Sequence, residues 1–160
     1  MNANGSGKRR LAKTAQNESV PAWSRFGRIA YARAFRIWVM NADGSRAHPV
    51  SPPHTTGVDW SPAWSPDGTR IAYESDRQTS GREPSSEIWL MSADGSHQVR
   101  LTHNSLNDFQ PAWSPDGGWL AFASQIPHPG KNHIWLVRPN GKGLHRVTSP
   151  GDEYHPSWSR

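Results

Sequence analysis

Cysteine is absent from the 160 residues, which excludes a disulfide framework and all thiolate chemistry. No apolar run approaches the ~20 residues that a membrane-spanning helix needs, and the first residues lack the apolar stretch of a signal peptide. Hydrophobic residues make up only 34% of the chain, so a core built from many Leu and Val side chains is excluded as well. The usual catalytic signatures are missing too. There is no Gly-x-Ser-x-Gly elbow, no His-Glu-x-x-His and no phosphate-binding glycine loop. The eight histidines do not share one repeat position, so no metal set and no cofactor site is expected.

What the chain does contain is tryptophan, nine in all, with 14 glycines and 14 prolines. Large rings then supply the core volume, and frequent turns leave little room for long helices. The net charge of +5 is lopsided. Residues 1–46 hold nine Lys/Arg against Glu18 and Asp43, while the other 114 residues hold nine basic against eleven acidic residues. A basic surface confined to one end argues against nucleic-acid binding.

Self-similarity organises everything else. Pro62-Ala63-Trp64-Ser65-Pro66-Asp67-Gly68 returns as Pro111-Ala112-Trp113-Ser114-Pro115-Asp116-Gly117. A degraded copy precedes them at Pro21-Ala22-Trp23-Ser24, and Pro156-Ser157-Trp158-Ser159 follows them. The four tryptophans are 41, 49 and 45 residues apart. A second module is interleaved with the first: Ile37-Trp38-Val39-Met40, Ile88-Trp89-Leu90-Met91 and Ile134-Trp135-Leu136-Val137, each followed by Asp-Gly or Asn-Gly shortly after. Each unit reads as four short strands: Pro-x-Trp-Ser, then Ile-Ala-Tyr or Leu-Ala-Phe, then Ile-Trp-Leu-Met, then a shorter polar strand. Pro-Asp-Gly and Asp-Gly supply the tight turns. Four strands per ~40–45 residues is the signature of a β-propeller blade, so the expected class is all-β, built of four-stranded antiparallel sheets. Arg28–Met40 also carries a helical stripe (Ile29, Ala32, Phe35, Trp38), but alignment with the other units divides it into two strands.

These motifs resemble the TolB-like β-propeller repeat family over nearly the whole chain. In TolB-type proteins the propeller follows a small α/β domain in the periplasm and binds the peptidoglycan-associated lipoprotein at the mouth of its channel. The resemblance therefore implies a protein or peptide partner and a periplasmic setting, and the lack of any nucleophile–base–acid set at a recognisable spacing leads to the expectation of no catalysis. The same repeat also occurs in propellers of serine oligopeptidases, so the propeller portion of a larger hydrolase is the alternative.

Met1–Ser6 matches Met40–Ser45, which places residues 1–13 as an outer strand. Blades are then expected at 14–51, 52–102 and 103–148, with an inner strand at 149–160. Roughly four to eight blades close a ring. Three call for a larger propeller or for self-association.

One constellation recurs at every inner strand. An acid stands three residues before each motif proline (Glu18, Asp59, Asp108, Glu153), and an aromatic two residues before it in three units (Trp60, Phe109, Tyr154). These positions fall where the chain enters the innermost strand, near the channel mouth. Two readings follow, and they are compatible. The acids cap turns by accepting backbone N–H groups, or they ring the mouth with negative charge for a basic partner. The loops within Asp76–Glu87 and Gln125–His133, variable in length, offer a second binding face.

Overall fold

The computed structural model describes residues 6–7, 9–12, 14–53, 56–77, 85–125, 131–148 and 152–159. Three antiparallel four-stranded sheets follow one another along the chain, with no helix among the described residues. The first holds β1 (Glu18–Trp23), β2 (Arg28–Arg33), β3 (Arg36–Asn41) and β4 (His48–Pro49). The second holds β5 (Asp59–Trp64), β6 (Arg70–Ser75), β7 (Glu87–Ser92) and β8 (Val99–Arg100). The third holds β9 (Asp108–Trp113), β10 (Leu120–Gln125), β11 (Asn132–Val137) and β12 (His145–Arg146). In each sheet the strands lie in sequence order, which is the meander of a propeller blade. The helical stripe at Arg28–Met40 is two strands, β2 and β3. Ala34 and Phe35 turn between them at φ of 49° and 63°, the left-handed pair that a two-residue hairpin demands.

The turns follow from their side chains. In the second blade the Ser65 hydroxyl donates to Asp67 Oδ1 at 2.6 Å, and the Thr69 N–H donates to the same oxygen at 3.0 Å. Ser114, Asp116 and Gly118 repeat the arrangement in the third blade at 2.5 and 2.9 Å. The hydroxyl and amide donors hold the Asp67 and Asp116 carboxyls below the usual carboxylate range.

The core lies between blades, because both faces of each sheet are apolar. Ala30, Ile37, Val39 and Val50 of the first blade meet Trp64, Ile71, Tyr73 and Met91 of the second. At the same repeat positions Ala72, Ile88, Leu90 and Leu101 of the second blade meet Trp113, Leu120, Phe122 and Val137 of the third. Two copies of one packing solution therefore lie side by side. Arginines at the start of β2 and β6 seal them: Arg28 stacks on Trp64 at 4.6 Å, and Arg70 on Trp113 at 4.9 Å. On the other face of the first blade Leu11 packs beside Ile29, Tyr31 and Met40.

Close approach between blades makes Gly95 irreplaceable. Its φ is +90°, and a Cβ there would stand 2.1 Å from the Val50 carbonyl oxygen. Gly95→Ala is expected to cost about 2 kcal/mol of unfolding free energy in a urea titration, from left-handed strain and the enforced shift of a neighbouring blade. A wild-type midpoint in that variant would show that the blades are not held this closely.

Candidate functional site

The innermost strands β1, β5 and β9 stand next to one another, β1 against β5 and β5 against β9. They form the wall of the propeller channel, and residues 153–158 continue it: the Trp158 indole donates to the Ala112 carbonyl at 3.1 Å, as Trp113 donates to Ala63 at 3.2 Å.

The recurring acids open these strands, and their surroundings show what they do there. Asp59 and Asp108 are completely buried. Asp108 accepts from the Ser124 hydroxyl at 2.5 Å and from the Asn104 side chain at 2.7 Å. Burial pushes its carboxyl up to about 6, against the lowering effect of those donors. Glu153 accepts from the Thr148 hydroxyl at 2.9 Å with His133 Nδ1 at 3.6 Å, and Glu18 accepts from the Thr14 hydroxyl. The backbone at these positions ties blade to blade. Asp59 N–H donates to Phe35 O at 3.0 Å, Asp108 N–H to Ser86 O at 2.7 Å, and Glu153 N–H to Asn132 O at 3.2 Å. The carboxylates of Asp59 and Asp108 thus face the protein rather than the channel. A solvent-facing ring of four charges does not form, because these positions lie where a strand enters between packed blades.

The aromatic neighbours point the other way. Trp60 is 38% exposed and Tyr154 50%, while Phe109 is half-buried with its ring centroid 6.1 Å from that of Tyr154. Trp60 and Phe109 line a cavity of about 500 Å³ at the channel, and Val20, Ser61, Gln110, His155 and Glu74 also contribute to it.

Four of these lining residues escaped the sequence reading as a group, yet they occupy one repeat position. Val20, Ser61, Gln110 and His155 each precede a motif proline, and each has a positive φ, of 49°, 48°, 56° and 51°. The pairing of β1, β5 and β9 with their neighbours shifts at this point. A β-bulge therefore recurs in every inner strand and presents one variable residue to the channel. The signal was available: in a motif that is otherwise largely copied, this residue differs in every unit without keeping one chemical type. Glu74 was missed for a similar reason. It stands where the other two blades carry Ala32 and Ala123, opposite Trp60 in the β5–β6 pair. Burial pushes its carboxyl up, and Ser61 and the Gln110 backbone oppose that shift. Among the described residues no group of three or more His, Asp or Glu is placed to hold a metal. Residues 78–84 and 126–130 of the two variable loops, the middle of the second binding face, lie outside the described residues.

Comparison with solved structures agrees with this architecture. A TolB-type structure from Agrobacterium tumefaciens matches with a TM-score of 0.70 at 23% identity, covering 85% of this chain and 50% of that one. TolB from Acinetobacter baumannii matches at 0.69 and 21% identity, covering 89% of this chain and 35% of that one. The acylaminoacyl peptidase of Pyrococcus horikoshii matches at 0.58 and 16% identity, over 82% of this chain and 24% of that one. The fold is thus a TolB-like partial β-propeller, and the chain spans half or less of the length of these neighbours. No protein-family model matches the sequence, and no curated protein matches it.

Proposed function

We propose that this chain is a non-catalytic interaction module that takes a protein or peptide partner in the cavity at its channel. The observation that carries the reading is the recurring bulge: a rigid, repeated backbone device places one freely varying side chain per blade around a single cavity. Variation on a fixed scaffold is how repeat proteins build recognition surfaces. Exposed Trp60 and half-buried Phe109 add apolar area of the kind that anchors interfaces. In this reading the buried acids Asp59 and Asp108 hold the blades in place, and contact with the partner passes to Trp60, Phe109 and Tyr154. Glu18 and Glu153 sit at the edge of the same wall. Neither nucleic acid nor membrane insertion belongs to the proposal, and no helix among the described residues is long and apolar enough to cross a membrane.

The test is capture of a partner by the purified chain and by its Trp60→Ala and Phe109→Ala variants. Each truncation is expected to weaken binding by about 2 kcal/mol while the thermal melt stays cooperative. Undiminished capture by both variants would place the contact elsewhere.

A second reading has one observation in its favour, the likeness to the propeller of an acylaminoacyl peptidase. There this chain would be the propeller portion of a larger serine hydrolase. A Gly-x-Ser-x-Gly segment in the same reading frame would decide for it.

A further inference from the structure

Glu74 poses a question that the fold leaves unanswered. Its counterparts Ala32 and Ala123 are completely buried, so a blade of this type packs well with a methyl group there. Glutamate instead brings a carboxylate into a half-buried place beside the channel and bears a desolvation cost. No Lys or Arg is among the described residues that line the cavity, so this cost is not offset by a cation of the protein's own there.

The surroundings of the carboxylate are arranged for a ligand. Glu74 is the register partner of Trp60, and directly opposed residues of an antiparallel pair project on the same face of the sheet. Phe109, from the next blade, lines the same cavity. The Ser61 side chain and the backbone of Gln110, both at bulge positions, favour the ionised carboxyl against its burial. Ser86 also favours the ionised form while the charge of Asp76 opposes it, and exposed His155 lines the same cavity. An anion that shares a cavity with two aromatic rings from neighbouring blades is the arrangement that receives an organic cation. The rings attract it through their faces, and the carboxylate neutralises it.

We infer that the channel cavity selects a ligand presenting an ammonium or guanidinium group, and that Glu74 is the residue which recognises that charge between Trp60 and Phe109. This rests on the channel cavity being the binding site and specifies its chemistry: the partner inserts a lysine side chain, an arginine side chain or a free chain N-terminus.

Short blocked peptides separate these sources. The probes are acetyl-Gly-Lys-Gly-amide, acetyl-Gly-Arg-Gly-amide and Gly-Gly-Gly-amide with a free amine. Acetyl-Gly-norleucine-Gly-amide and acetyl-Gly-Glu-Gly-amide serve as controls. Each is titrated against the whole chain while the indole N–H resonance of Trp60, assigned through Trp60→Phe, is followed by NMR. At least one cationic peptide is expected to move this resonance saturably, and the norleucine and glutamate peptides are not. In Glu74→Gln the affinity of that peptide is expected to fall about tenfold. Glu74→Ala, the residue that the other two blades carry, should fold as wild type and lose the same binding. Norleucine binding as tightly as lysine and arginine, or cation binding unchanged in Glu74→Gln, overturns the role of Glu74 while leaving the cavity as a binding site. Should no peptide of any charge move the Trp60 resonance, the cavity reading falls together with this inference.

Discussion

Truncating Trp113 to alanine is expected to remove about 3–5 kcal/mol of stability, enough to leave the chain partly unfolded at room temperature. The ring is only 8% exposed and fills the space between the second and third blades beside Leu90, Leu120 and Phe122. Its indole N–H donates across the blade boundary to the Ala63 carbonyl at 3.2 Å, and Arg70 covers its face at 4.9 Å. Three contributions vanish together in the variant: apolar burial, a hydrogen bond that joins two blades, and the stacked cation. Trp23 provides the control, since it holds the same place in the motif. It is 62% exposed. Trp23→Ala should therefore shift a urea midpoint by no more than about 0.5 kcal/mol equivalent. Equal losses from the two substitutions would mean that the motif tryptophan stabilises its own blade, and that packing between blades matters little.

Replacing Asp108 by asparagine is expected to stabilise the protein at pH 7 and to have little effect at pH 4. The carboxyl is completely buried, and its pKa stands at about 6 against an ordinary value of 3.8. Between those two values the folded protein holds a proton that the unfolded chain has released, so protonation favours the fold. The stabilisation is fully present below about pH 4 and disappears as pH rises through about 6. A difference of about 2 units corresponds to about 3 kcal/mol. Asparagine is neutral at every pH, and it can accept from Asn104 while donating to the Ser124 hydroxyl, so it keeps both partners of the acid. Denaturant titrations of both proteins from pH 4 to pH 8 give the answer directly. Should the variant be the weaker protein by a constant amount throughout, the ionised carboxylate is stabilised by its donors more than burial opposes it.

These two residues also mark how far the sequence can be read. Trp113 was legible as a core residue because it recurs, and Trp64 and Trp113, 49 residues apart, fill equivalent spaces between successive blades. Asp108 was legible as a recurring acid, but recurrence does not say which way a side chain points. At the entrance of an inner strand the alternatives differ by one face of the sheet. The direction is decided by which donors the neighbouring strand brings, here Ser124 on β10 and Asn104 on the incoming loop. The aromatic at the next position, Trp60 or Phe109, projects to the opposite side of its strand from the acid, and both rings line the cavity at the channel.

The number of strands per unit, their order, the turn residues and the identity of the core rings were determined by the sequence alone. Each is written in a local pattern that repeats, and an all-β meander of blades is the one arrangement that satisfies every copy. The tertiary structure decided what lines the channel. The left-handed bulge at Val20, Ser61, Gln110 and His155 arises from the bend each inner strand makes against its neighbour, and no single residue type announces it. Glu74 acquires its meaning in the same way. In the sequence it is one acid in a strand, and only when β6 is set opposite Trp60, with the next blade packed against it, does Glu74 come to line the same cavity as Trp60 and Phe109.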